Sequence, residues 1–245
     1  MRYFIYLKYD GSAYFGWQRQ PSQPTVQQAL ERALSTLLRD EILVTGAGRT
    51  DSGVHASFYV AHFDCQEEVA DIKTLCYKLN VILPKDIAII NIELVDDSAH
   101  ARFDAVEREY QYFIELKKNP FSTKYAWLYH ANLDIEKMNQ AASRLLSHSD
   151  FTTFAKLNSD NKTNICDVRY AHWERLPSGQ LRFTIRANRF LRNMVRAIVG
   201  TLVDVGRGRY SVEDFEAIIA SRDLSRASSS AKAEGLFLSD VKYQR

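Results

Sequence analysis

The sequence predicts an α+β protein made of two loosely similar halves, and three observations lead there. Almost every strand-like segment alternates apolar and polar residues, the mark of antiparallel sheet with one face covered by helices. Helical periodicities fall between these segments in the order strand, helix, strand, strand, helix, strand. After residue 105 a similar pattern starts again, with too little identity between the halves to be a sequence repeat.

Residues 2–10 alternate large apolar with polar side chains and stop at the turn chemistry of Asp10-Gly11-Ser12. Residues 14–20 follow as a loop with three aromatics, two amides and a cation. That composition suits base stacking and phosphate contact, and equally suits aromatics folded inward to plug a core. Thr25 with Gln28 reads as a capping box, and Val26, Ala29, Leu30, Ala33, Leu34, Leu37 and Leu38 repeat at helical spacing. Strands are expected at 41–45 and 54–64 around a glycine-rich loop, then a helix near 69–79 and a strand at 87–95. Residues 100–105 connect to a strand at 107–116, so the boundary is placed between halves 1–105 and 106–245. The second half continues with a helix capped by Asp134, strands near 166–174 and 181–188, a helix from Arg189 to about Val205, a Ser211-capped helix and a last strand at 236–243.

Composition bounds the class. Of 245 residues, 46% are hydrophobic and 25% charged, which excludes a disordered or low-complexity chain. Cys65, Cys76 and Cys166 are odd in number and widely spaced, so neither a disulfide framework nor a zinc site is indicated, and a reducing cytoplasm fits. Met1 leads straight into a strand and no apolar run reaches membrane-spanning length, so a soluble, unexported protein is expected. The net charge of +2 does not announce nucleic acid, but seven arginines between Arg182 and Arg209 stand against the single acid Asp204.

Chemistry concentrates in Gly46-Ala47-Gly48-Arg49-Thr50-Asp51-Ser52-Gly53-Val54-His55-Ala56. Glycines permit positive φ and close approach, and a guanidinium near a carboxylate on a shaped turn can hold it ionised and aimed, as a nucleophile or base needs. Taken alone, the same residues describe an ordinary hairpin loop with an aspartate in its turn. In the strand Arg108-Glu109-Tyr110-Gln111-Tyr112, alternate residues share one face, which sets Tyr110 among polar neighbours or makes it a core aromatic. On the expected helix from Arg189, the residues Phe190, Leu191, Met194, Val195, Ile198 and Leu202 fall on one side, with Arg189, Arg192, Arg196 and Gly200 opposite. Arginines without interleaved acids repel one another and gain from an anionic partner. His55 and His62 lie an odd number of positions apart, on opposite strand faces, so no metal is expected.

Gly48 to Ala56 resembles the catalytic signature G-R-T-D-x-G-V-H of the tRNA pseudouridine synthase A family. Further resemblances run nearly the whole chain: Asp10-Gly11-Ser12 through Gln20; His100 to Ala105, with Asp104 where serine is usual; Arg108-Glu109-Tyr110-Gln111-Tyr112; Ala187 to Arg196; and Ala231 to Leu236, with Lys232 where many members have proline. The resemblance implies two halves sharing a central, mostly antiparallel sheet around a catalytic cleft. It implies a cofactor-free isomerisation of uridine to pseudouridine at positions 38–40 of the tRNA anticodon stem-loop, by a homodimer. By resemblance Asp51 is the catalytic carboxylate, Arg196 its ion-pair partner and Tyr110 the base-stacking tyrosine. Arg49, Gln18, Arg19, Arg189 and Arg192 are expected to contact RNA. The competing readings are a non-catalytic RNA-binding protein on the same scaffold and a metal-dependent nuclease; the first would lack the carboxylate, the second would need clustered ligands.

Overall fold

In the computed structural model, which describes residues 1–156 and 162–244, the α+β class expected from the alternation is found. In chain order the described residues form β1 (Arg2–Tyr9), α1 (Val26–Leu38), β2 (Val44–Gly46), β3 (His55–Asp64), α2 (Ile72–Ile82), β4 (Ile87–Val95), β5 (Ala105–Glu115), β6 (Trp127–Leu128), α3 (Ile135–Arg144), β7 (Val168–Arg175), β8 (Leu181–Ala187), α4 (Met194–Gly206), α5 (Val212–Ser221) and β9 (Leu236–Tyr243). They group into two compact units, Met1–Val106 with Leu238–Arg245, and Glu107–Phe237.

In the first unit β1 lies antiparallel between β3 and β4, with Ile5 opposite Ala61 on one side and Ile92 on the other. Strand alternation sends Tyr3, Ile5 and Leu7 to the same face, where all three are fully buried. Helix α1 buries Val26, Leu30 and Leu34, each stabilising by about 1.5–3 kcal/mol. It packs on α2 and β2, and α2 packs on β4. Only half of the expected capping box forms, the Thr25 hydroxyl accepting from the Gln28 N–H at 3.4 Å. The second helix starts later than the periodicity suggests because the Asp71 carboxylate accepts from the Thr74 N–H, and it ends where Leu83 turns extended ahead of Pro84.

In the second unit β8 lies antiparallel between β5 and β7, placing Phe183 opposite both Tyr112 and Trp173. The Trp173 and Phe183 rings stack at 4.9 Å. Helix α3 packs on β7, α4 and α5. Short β6 pairs parallel to β5, an element too brief to leave a periodic signal.

Helix α4 corrects one expectation. It begins at Met194 rather than Arg189, because Asn193 takes φ 67°, a left-handed conformation that a right-handed helix cannot continue through. Arg189 and Arg192 therefore stand in the loop before it. Nor is the side bearing Arg196 and Gly200 solvated, since the segment 228–231 lies along it. The Ala231 N–H donates to the Arg196 carbonyl at 2.9 Å, Ser228 donates from its N–H to the Thr201 hydroxyl and from its own hydroxyl to Asp204, and the Asn193 amide donates to the Ser230 hydroxyl. At Gly200 a Cβ would come within 2.1 Å of the Ser229 carbonyl oxygen. The apparent polar face is a seat for the chain's own backbone.

Candidate active site

The loop between β2 and β3 gets its shape from the residues behind it. Gly53 has φ +76° in a turn closed by the Val54 N–H on the Asp51 carbonyl at 3.1 Å, so the backbone reverses immediately after the carboxylate. Two buried tyrosines hold the loop from beneath. Tyr9 and Thr50 share a hydrogen bond between hydroxyls at 2.9 Å, and the Tyr59 hydroxyl donates to the Gly48 carbonyl. The Tyr59 ring stacks on Trp17 at 4.1 Å, which leaves Gly46 no space for a Cβ.

The segment 14–17 braces the loop from the side. Its backbone gives the Trp17 N–H to the Thr50 carbonyl at 3.3 Å and takes the Gly53 N–H on the Tyr14 carbonyl at 3.2 Å. Gly16, at φ +86°, sits so close that a Cβ would come within 2.3 Å of the Thr50 oxygen. Of the three aromatics that composition left open, Tyr14 and Trp17 fold inward and Phe15 is exposed. Burial and the neighbouring Asp86, which accepts the Tyr14 hydroxyl proton at 2.6 Å, push the Tyr14 pKa up and keep it a neutral anchor. His55, fully buried, has its Nδ1 3.0 Å from the Gly11 N–H and 3.1 Å from Asp10, tying the start of β3 to the first turn.

Arg49 and Gln18 meet beside the loop that carries Asp51, the Arg49 Nε donating to the Gln18 amide oxygen at 2.7 Å. Arg19 is engaged internally: its N–H donates to Gln27 and its guanidinium pairs with buried Glu31 at 3.4 Å. Tyr110 and Arg196 belong to the second unit. Tyr110 meets the edge of Phe190 at 5.1 Å, and Arg196 donates from Nε to the Ala231 carbonyl at 2.7 Å, so the seated segment fixes its side chain. The seven-arginine stretch is less basic than its sequence count. Arg186 pairs with Glu109 from the neighbouring strand far back in sequence, Arg182 with Glu174 across the β7–β8 pair, and Arg207 and Arg209 with nearby Asp204.

Both sequence departures fit their places. Lys232 has φ −61° and ψ 146°, which proline adopts as readily, and the group used there is its carbonyl, accepting from Tyr112. The Asp104 carboxylate accepts from the His100 N–H at 2.7 Å, a turn-closing task that a serine hydroxyl also performs. Sequence reasoning missed Tyr9 and Tyr59 as supports of the loop; each is only one more aromatic on an alternating strand. Among the described residues no three His, Cys, Asp or Glu side chains are grouped to hold a metal ion, and no helix is long and apolar enough to cross a membrane.

The family model described as tRNA pseudouridine synthase matches residues 5–104 and 141–244, and the chain belongs to that family. It is similar over nearly its whole length to proteins named tRNA pseudouridine synthase A. The one from Bacteroides thetaiotaomicron is 51% identical over 244 residues, covering 99% of this chain and 90% of the relative. The one from Bacteroides fragilis is 51% identical over 242 residues, covering 99% and 96%, and that of Porphyromonas gingivalis 50% over 244, covering 99% and 97%.

Proposed function

We propose that this protein is a tRNA pseudouridine synthase that isomerises uridine at positions 38–40 of the anticodon stem-loop, in the cytoplasm and as a homodimer. In the reaction the N1–C1′ bond of uridine breaks, the base turns, a C5–C1′ bond forms, C5 loses its proton and N1 gains one. Atoms balance without an oxidant, a metal or a cofactor. The observation that carries the reading is Asp51 on a loop whose backbone is fixed by Tyr9, Tyr59 and Gly16, within a complete family signature. A carboxylate so held is aimed before substrate arrives, which removes orientation from the barrier. Arg196 has the role of keeping that carboxylate ionised, Tyr110 that of stacking on the base, and Arg49, Gln18, Arg189 and Arg192 those of RNA contacts. Arg19 supports the loop that carries Gln18.

The test is release of a C5 label from uridine in tRNA, with excess chelator present. The parent should release the label at full rate. Asp51→Asn should lose at least about 10³-fold in rate while binding tRNA as well as the parent or slightly better, since a negative charge leaves an RNA-facing surface. Arg196→Lys should lose single-turnover rate and largely keep affinity. Activity retained in Asp51→Asn, or abolished by chelation, overturns the assignment; a parent that binds tRNA but releases no label favours the RNA-binding reading.

A further inference from the structure

Next to the Asp51 loop the first unit holds a cleft of about 160 Å³, lined among others by Arg49, Arg102, Gln18, Trp17, Gly46 and Gly48. Two guanidinium groups from segments far apart in sequence converge on it, and among the described residues no acid lines it. One wall is rigid, because the buried Trp17 ring is stacked on Tyr59. Gln27 is wall rather than ligand: its amide already donates to Glu31 and to the Val44 carbonyl and accepts from the Arg19 N–H. Gly48 is the informative residue. Its φ is not positive, and a Cβ built on it meets nothing within 4 Å, so neither backbone conformation nor packing requires glycine there. What the missing side chain leaves is room in the cleft.

The turn that presents Arg102 also has the character of a nucleic-acid contact. The Arg102 guanidinium lies 5.6 Å from the centre of the Phe103 ring, and Phe103 is 74% exposed. The turn is held rigid by backbone donation from Ala101 to His62 and from Arg102 to His100, and by Asp104 on the His100 N–H. The volume selects among anions. Sites for whole small molecules span about 300–1,000 Å³, so a cleft of this size takes a smaller group.

We infer that this cleft is a phosphodiester subsite, in which Arg49 and Arg102 together grip one backbone phosphate of the RNA beside the nucleotide presented to Asp51. The inference rests on the proposed function and adds Arg102 and Gly48 to the RNA-binding surface. Two guanidinium groups on one phosphate supply charge-assisted donors from two directions, which fixes the position of the strand as well as holding it.

The experiment measures affinity of the intact protein for tRNA across a salt series, with pseudouridine formation and melting temperature measured on the same samples. Arg102→Gln should weaken binding on the order of tenfold. It should flatten the plot of log affinity against log salt by roughly 0.7–0.9 and raise KM more than it lowers kcat. Arg102→Lys should restore most of the slope. Gly48→Leu, which fills the cleft without touching a charge, should weaken binding with the melting temperature unchanged; if it melts lower, Arg102→Gln carries the test alone. Parental slope and KM in Arg102→Gln, in a parent that makes pseudouridine, overturn the subsite and leave the function standing. A parent that neither binds tRNA nor makes pseudouridine overturns both.

Discussion

Asp51 and Arg196 are each held in place, and by different means. The Asp51 loop has no regular structure of its own; below it the hydroxyls of Tyr9 and Tyr59 bind Thr50 and the Gly48 carbonyl, and beside it the backbone of residues 14–17 braces it. Arg196 sits in the first turn of a regular helix, and what steadies it is backbone, the Ala231 N–H and carbonyl on either side of its own residue. In both places a glycine marks where another segment passes inside the radius of a methyl group, Gly16 against Thr50 and Gly200 against Ser229. The loop can thus be loosened one hydroxyl at a time from below, and the seated segment either at the Ser228 hydroxyl or by steric intrusion at Gly200.

The largest effects should come from those two glycines. Gly200→Ala should cost about 1–3 kcal/mol by overpacking, and Gly16→Ala about 2–4 kcal/mol because positive φ adds to the collision. Gly16→Ala should also slow catalysis by about 100-fold through displacement of the Asp51 loop. Gly48→Ala, with open space around it, should change stability by less than about 0.5 kcal/mol. Equal melting temperatures for all three variants would break the comparison.

A pH series should come next in size and should touch the first unit. Burial, then the positive charge of Arg2 and the proximity of His100, lower the His62 pKa to about 4. The folded state therefore binds fewer protons than the unfolded state between about 6.5 and 4. Its contribution is fully present above pH 6.5 and is lost as pH falls through about 4, up to about 3 kcal/mol in all. Protonation also removes the acceptor for the Ala101 N–H. Amide exchange across residues 99–104 should accelerate in that window, and His62→Gln should flatten the dependence; an unchanged profile in that variant would remove His62 as the cause.

The smallest effects sharpen the contrast most. Tyr59→Phe and Ser228→Ala each delete one hydroxyl that supports a functional segment, and each should cost about 1 kcal/mol. Tyr59→Phe should also lower the rate several-fold, because its partner is in the Asp51 loop, while Ser228→Ala should leave the single-turnover rate alone. A rate loss in Ser228→Ala larger than that in Tyr59→Phe would reverse the assignment of side-chain and backbone support.

That contrast also explains what the sequence could say. The loop was legible because its signals are local: glycines, an arginine and an aspartate within a few positions. Strands 87–95 and 236–243 and the Ser211-capped helix were equally legible, each being periodic and flanked by turn or cap chemistry. The seat of segment 228–231 on α4 was not, because an i, i+3, i+4 pattern of polar and small residues looks the same whether water or another backbone covers it. One residue, Asn193 at φ 67°, moved the start of that helix by five positions, and asparagine carries no obligation to take that conformation. The arginine stretch misled for a related reason. A count along the chain cannot include Glu109 and Glu174, which reach it only through strand pairing.

The grouping of Leu238–Arg245 with Met1–Val106 has a consequence for how the molecule is made. In this unit β9 follows β3 in strand order, the Tyr243 ring lies against Phe4 at 5.3 Å, and its hydroxyl donates to the Ala101 carbonyl at 2.7 Å. During synthesis the residues of the second unit, 107–237, are all translated before the last segment of the first unit, 238–245. The older part of the polypeptide therefore waits, with β3 paired to β1 and β2 but lacking β9, for more than a hundred residues of younger chain. A released chain ending at Phe237 should hold a protease-resistant second unit and a cleavable first one, so loss of the last strand would damage the earliest-made segment most.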